Sequence, residues 1–343
     1  MQIGNFDFKK NGVFIIAELS ANHNGSKEIA LKTIKAAKEA GANAIKLQTY
    51  TPEWMTIKIN RDEFKAGDLW KSEYLYDLYA RAMTPLQWHK ELFQYAKNLD
   101  LEIFSSPFSK EAVDFLETLS PVAYKIASFE ITDHELIRYT ASKQKPIIIS
   151  TGIATIDEIQ DAVDICREVG NEDIVLLKCT SAYPAPFEDA NLKTIPNLKE
   201  TFGVEVGFSD HTLGTTAPIV ATTLGAKVIE KHFILDRSIG GADADFSLDK
   251  EKFTQMVEAV RESEKLLGRV DYTMNEKKKQ SRQFARSLYI VKDIKKGEIL
   301  TKEHIRSIRP GYGLHPKYLD KVLGKKVLKD CTKGTRLAWD LII

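Results

Sequence analysis

Two histidines, three lysines, a row of serines and a glutamate each follow a short apolar run. Glu18 follows Val13-Phe14-Ile15-Ile16, and Lys46 with Gln48 follows Ala44-Ile45. Ser106 follows Leu101-Glu102-Ile103-Phe104, Lys125 and Ser128 follow Ala123-Tyr124, and Ser150 follows Ile147-Ile148-Ile149. Lys178 and Ser181 follow Ile174-Val175-Leu176-Leu177, Ser209 and His211 follow Val204-Glu205-Val206, and His232 follows Val228-Ile229. Fixed ammonium groups beside small hydroxyls suit an anionic, phosphate-bearing substrate. Lys178 is the weakest of the three lysines, with neutralisation of a carboxylate as its alternative role. The backbone N–H groups of Thr151-Gly152, just ahead of a helix pattern, add an anion seat. Two imidazoles with carboxylate and water oxygens suit Mn²⁺, with Mg²⁺ or Co²⁺ as alternatives, better than a closed tetrahedral zinc site. Such a metal would polarise a carbonyl oxygen. Glu18 is either a general acid or base or the partner of a lysine.

The elements that must position these groups are eight buried strands. Nearly continuous β-branched runs are the mark of parallel strands covered on both faces. Helix patterns separate them: Ser26 caps a segment from Lys27 to Ala40 stopped by Gly41, and Thr155 with Glu158 forms a capping box ahead of Ile156 to Val169. Lys110 to Leu119, Leu213 to Leu224 and Asp249 to Leu267 read as further helices. Eight repeats of run, reactive residue and helix predict an α/β fold, a (β/α)8 TIM barrel with its active site at the carboxyl ends of the strands. Tyr50 to Met83 is longer than an ordinary connection and rich in aromatics, which predicts an ordered cover over the barrel mouth.

The 343 residues exceed one barrel. The polar stretch 269–283 reads as a linker between a catalytic domain, 1–268, and a β-rich domain, 284–343, with Gly turns and too few residues for a large core. Net charge +1 and a 43% apolar fraction give no footprint for nucleic acid. Three scattered cysteines and an N-terminus without a basic flank and apolar core predict a reducing, cytoplasmic setting without a signal peptide. No run is long enough to span a bilayer.

The string Ala17-Glu18-Leu19-Ser20-Ala21-Asn22-His23-Asn24-Gly25 resembles the first-strand motif of the sialic acid synthase family. These enzymes condense phosphoenolpyruvate with a hexosamine-type aldehyde to form nonulosonic acids. Lys46-Leu47-Gln48, Lys125-Ile126-Ala127-Ser128, Ser150-Thr151-Gly152, Ser209-Asp210-His211 and Glu230-Lys231-His232-Phe233 match further family motifs in family order. The C-terminal segment resembles the family's antifreeze-like (SAF) domain.

The resemblance implies that Lys46, Ser106, Lys125, Ser128, Ser150 and Ser209 hold phosphoenolpyruvate. It implies that His211 and His232 hold the metal and that Glu18 acts on the attacking water. Gln48, Ser181, Tyr183, Asp243 and Arg309 would meet the sugar, Arg309 from the partner subunit of a domain-swapped homodimer. Asn22 and His23 either fix their loop or touch ligand, and Gly240-Gly241 is either a turn or part of the sugar site.

Finer matches, among them Ser128-Phe129-Glu130-Ile131, Thr180-Ser181-Ala182-Tyr183-Pro184 and Arg309-Pro310-Gly311-Tyr312-Gly313-Leu314, resemble the branch that makes pseudaminic acid from 2,4-diacetamido-2,4,6-trideoxy-altrose. The N-acetylneuraminate branch usually carries Asn where this chain has Ser181, so N-acetylneuraminate and legionaminate synthesis are alternatives. A non-catalytic sugar- or ice-binding role is remote, because Thr301, Thr332 and Thr335 make no flat array.

Overall fold

The computed structural model describes residues 1–67 and 73–343 and divides the chain into two units, 1–268 and 269–343. In the first, a two-residue hairpin, β1 (Gln2–Ile3) with β2 (Phe6–Asp7), precedes eight parallel strands. These are β3 (Phe14–Glu18), β4 (Ala44–Thr49), β5 (Glu102–Pro107), β6 (Tyr124–Ile126), β7 (Ile147–Ser150), β8 (Ile174–Cys179), β9 (Glu205–Asp210) and β10 (Val228–His232). They pair in chain order, and β10 closes on β3, so the barrel has no free edge.

Strand alternation sorts the chemistry. Phe14, Ile16, Ala44, Phe104, Ile148, Val175 and Val228 form one apolar cluster with Ile3, Phe6 and Phe8. The residues between them in sequence, such as Ile15, Ile45, Ile103 and Ile147, belong to a second cluster that packs against the helices. The first cluster is the barrel interior, plugged from below by the hairpin. Gly207 is required there, since a Cβ would stand 2.4 Å from the Val228 carbonyl oxygen. Two residues beyond Ile16, Ala44 and Val228 stand Glu18, Lys46 and Glu230. The interior thus turns from apolar to charged at the carboxyl ends.

The capped helices form where the sequence places them, with ends shifted by a residue or a few. The Ser26 hydroxyl accepts from Ile29 N–H at the start of Lys27–Glu39, and Thr155 and Glu158 make the reciprocal capping box of Ile156–Glu168. The helix expected from Leu213 begins only at Thr216 and ends at Thr223. The Tyr50–Met83 stretch contains a short helix, Pro52–Met55, and a longer one, Leu75–Ala82; its residues 68–72 lie outside the described residues.

The second unit has its own small core of Leu288, Ile290, Leu300, Val322 and Leu337, among others. It pairs β11 (Ser287–Ile290) with β12 (Ile305–Ile308) antiparallel, and the polar 269–283 stretch contains a helix, Glu276–Ser281. No helix among the described residues is long and apolar enough to cross a membrane.

Candidate active site

Two lysines and two glutamates meet inside the charged end of the barrel. Lys46 forms a close ion pair with Glu18 and lies 3.8 Å from Glu230, which is 3.7 Å from Lys125. Ser209 donates to Glu230 at 3.1 Å, Lys46 donates to Ser106 at 3.4 Å, and Gln48 donates to Glu18 at 3.1 Å. All four charged groups are nearly inaccessible. Their environments drive the two carboxyl groups apart. Burial pushes Glu18 up to about 7, opposed by Lys46 and aided by Glu230. Burial also pushes on Glu230, but Lys125 and Lys46 outweigh it and hold that carboxyl below its usual value. Burial and the neighbouring Lys46 lower Lys125, against the pull of Glu230. Such divergence assigns distinct acid and base roles: Glu230 is a fixed anion, while Glu18 exchanges a proton near neutrality.

Sequence reasoning named Lys46, Lys125, Ser106, Ser209 and Glu18, and all five meet here. It placed Glu230 only as a carboxylate next to the metal-binding histidines, whereas Glu230 bridges both lysines. The signal was present: two residues before His232 on a period-two strand, Glu230 shares its face.

Ser128 and Ser150 complete the rim. Ser128 opens a 3-10 turn and its Oγ accepts from Gly152 N–H at 3.2 Å, while the Ser150 hydroxyl is buried without a hydrogen-bond partner among the described residues. A Cβ on Gly152 would stand 2.3 Å from Ser181 Oγ and 3.2 Å from Cys179 Sγ, so this glycine keeps the pocket open. The expected anion seat needs correction. Thr151 N–H is already committed to the Leu177 carbonyl at 3.0 Å and Gly152 N–H to Ser128 Oγ, and the helix starts only at Ile156, so both N–H groups already have acceptors.

Lys178 is also corrected. It lies between Leu177 and Cys179, which face inward, and its Nζ bonds outside the barrel to the Cys179 carbonyl at 2.6 Å and the Thr180 hydroxyl at 3.2 Å. Asp210 likewise faces outward, into a fully buried ion pair with Lys231, whose Nζ also donates to the Thr212 carbonyl at 2.6 Å. Removing one partner of a buried pair strands the other charge. Lys231→Met is therefore expected to cost about 3–5 kcal/mol in denaturant unfolding, with most of it recovered in Asp210→Asn/Lys231→Met.

His211 and His232 stand with ring centroids 5.4 Å apart, flanked by Tyr183 at 4.4 Å from His211 and Phe246 at 4.9 Å from His232. His211 Nδ1 donates to the Thr180 carbonyl at 2.9 Å and lies 3.9 Å from Cys179 Sγ; burial pushes its pKa down, but Cys179 and the Thr180 carbonyl outweigh it and hold it above its usual value. His232 Nδ1 is buried without a hydrogen-bond partner, 3.8 Å from Asp243 Oδ2. Burial and the cation-bearing neighbours hold His232 well below its usual value, so it is neutral. Among the described residues no three His, Cys, Asp or Glu side chains are arranged to enclose a metal ion. The donors fit an open site instead: two imidazoles, with further positions left to oxygen ligands.

Beside the histidines lies a cavity of about 400 Å³ whose lining includes Gln48, Ser181, Tyr183 and Asp243, four of the expected sugar residues. Glu130 also lines it, with burial pushing its carboxyl up to about 7, and so does Phe246. Sequence reasoning assigned neither, because both sit in short loop turns without periodicity. Gly240 and Gly241 take positive φ in the loop leading to Asp243. Asn22 and His23 are not among the lining residues: Asn22 ties the first loop to the Phe233 carbonyl and Ser247, and His23 packs edge-on to Trp88. Arg309, in the second unit, is exposed beside a crevice lined by Lys278, Arg282 and Phe284.

Comparison with known proteins agrees with this arrangement. The chain is 54% identical to a pseudaminic acid synthase from Campylobacter jejuni, over 98% of both chains. It is 53% identical to one from Helicobacter pylori, over 95% of this chain and 96% of that one. The crystal structure of the spore coat polysaccharide biosynthesis protein SpsE from Bacillus subtilis superposes with a TM-score of 0.68 at 34% identity, covering 100% of this chain and 99% of that one. Residues 33–272 match the NeuB family and residues 285–343 the SAF domain. A barrel with this charged mouth, joined to that C-terminal unit, belongs to the NeuB family.

Proposed function

We propose that this protein is a pseudaminic acid synthase. It joins phosphoenolpyruvate to 2,4-diacetamido-2,4,6-trideoxy-altrose and water, giving pseudaminic acid and phosphate. The observation that carries the reading is the buried Glu18–Lys46–Glu230–Lys125 constellation beside paired histidines, in a chain 53–54% identical to such synthases.

Lys46 and Lys125, with the hydroxyls of Ser106, Ser128, Ser150 and Ser209, hold the carboxylate and phosphate of the enol. Each added anion offsets the cost of keeping two ammonium groups out of water. Gln48, Ser181, Tyr183 and Asp243 orient the open-chain sugar with its aldehyde near His211 and His232. Those two residues would hold a divalent cation such as Mn²⁺, which when bound supplies Lewis acidity to the aldehyde oxygen. The enol methylene then forms a bond to the aldehyde carbon, leaving the adjacent carbon cationic. Glu18 takes a proton from the water that adds there. The tetrahedral adduct expels phosphate with the former enol oxygen, and a nine-carbon 2-keto acid remains.

The second unit completes the site in a homodimer, where the partner's Arg309 reaches the sugar; its planar fork of donors suits an amide oxygen or hydroxyls. Mixing Arg309→Ala, which should weaken sugar binding, with Glu18→Gln is expected to restore part of the activity that each variant alone has lost, because one hybrid site then has both native residues. A fully active monomer by light scattering would contradict the shared site. The activity itself is tested by phosphate release. The diacetamido sugar should support turnover and N-acetylmannosamine little; the reverse preference would move the assignment to N-acetylneuraminate synthesis.

A further inference from the structure

The cavity has two unlike walls. Gln48, Glu130, Ser181, His232 and Asp243 make one of them polar. The other is mainly apolar, formed by Met55, Leu75, Leu78, Ala82, Phe108 and Phe129, with the phenols of Tyr50 and Tyr79 beside them. Four of these six come from the β4–β5 connection rather than from a strand end. Phe129 is 60% exposed and Met55 and Leu75 are half-buried, so the wall remains accessible without bound substrate. Tyr50 marks the seam: its ring packs edge-on to Tyr79 at 5.8 Å and to Phe108 at 5.3 Å, while its phenol lies in the field of Asp243.

An ordinary hexose has a hydroxyl on C6. Pressed against the apolar side chains of this wall, that hydroxyl would lose water and gain no partner, a cost that a methyl group does not incur. C6 is also the carbon farthest from the aldehyde. With C1 at the histidines, it extends away from the strand ends toward the connection that supplies the apolar side chains.

We infer that the Met55–Leu75–Leu78–Phe108 wall reads C6 of the acceptor as a methyl group and is the element that selects 6-deoxy sugars over 6-hydroxy sugars. This rests on the synthase reading above, in which the aldehyde lies at His211 and His232. Leu75 and Met55, half-buried at the cavity, are the specificity-determining positions open to substitution; Leu78 is buried and also supports its helix.

The test compares kcat/KM, read by phosphate release, for two acceptors that differ only at C6: the 2,4-diacetamido-2,4,6-trideoxy sugar and its 6-hydroxy counterpart. An apolar pocket rejects an added hydroxyl by on the order of 10²-fold, and that preference is expected of the native enzyme. Met55→Gln and Leu75→Gln, which offer a hydrogen-bond partner at similar size, should each cut the ratio to about 10 or below while turnover of the deoxy sugar persists. A native ratio within about threefold of one overturns the inference. So does an unchanged ratio in folded, active variants, and if neither variant folds the native ratio decides alone. Phosphate release from neither sugar would instead overturn the synthase reading and this inference with it, whereas equal turnover of both overturns the inference only.

Discussion

Replacing Glu18 with Gln is expected to lower turnover by a factor of about 10² or more while phosphoenolpyruvate still binds. The substitution keeps the volume and the hydrogen bond from Gln48 but removes the basic oxygen. It also leaves Lys46 with Glu230 as a partner, so the Lys46 ammonium stays in place. The pH profile separates this role from a structural ion pair. With its carboxyl pushed up to about 7, free-enzyme Glu18 becomes protonated as pH falls through neutrality, so kcat/KM of the native enzyme should decline on that acid side. The residual activity of Glu18→Gln should lack that limb. Stability has its own sign: folded Glu18 keeps its proton between about 4.5 and 7 where the unfolded side chain loses it, so this group's contribution weakens as pH rises through that window. Near-native turnover in the variant would reduce Glu18 to an ion-pair partner.

His211→Ala and His232→Ala are each expected to abolish turnover and weaken Mn²⁺ binding while leaving a folded barrel. Neither side chain is held by the buried ion pairs that tie the strands together. His211 Nδ1 bonds only to the Thr180 carbonyl and, at 3.9 Å, to Cys179 Sγ, and His232 Nδ1 has no hydrogen-bond partner among the described residues, so little of the fold hangs on either ring. Calorimetric titration with Mn²⁺ reads the loss without reference to activity. Removing one of only two nitrogen donors should weaken binding by 10-fold or more, on the scale seen even for residues that merely orient ligands. A chelated native enzyme that keeps full activity would remove the metal from the account.

Most of the site is legible in the sequence because a closed barrel imposes one rule: on each strand, alternate residues face the axis. Glu18, Lys46, Lys125, Ser209 and His232 obey it and were found. Lys178 and Asp210 stand one residue out of phase, between Leu177 and Cys179 and between Ser209 and His211, and the same rule places them outside. Glu230 is in phase with His232 and could have been found. Glu130 and Phe246 lie in single turns, where no period exists to read. The β1–β2 hairpin escaped notice for a related reason: strands of two residues are too short to show alternation, and their effect appears only when Ile3 and Phe6 meet Phe14 inside the barrel. The anion seat at Thr151-Gly152 failed in part because a backbone N–H that suits an anion also suits the neighbouring strand.

The most direct measurement follows an oxygen atom. Phosphoenolpyruvate carrying ¹⁸O in its bridging position is turned over with the diacetamido sugar in ordinary water, and both products are analysed by mass spectrometry. With Glu18 directing water to the enol carbon and phosphate leaving by C–O cleavage, all of the label is expected in inorganic phosphate, and the new ketone oxygen comes from solvent. Label retained in the keto acid would mean cleavage at phosphorus, and would contradict the role given to Glu18 and the condensation built on it.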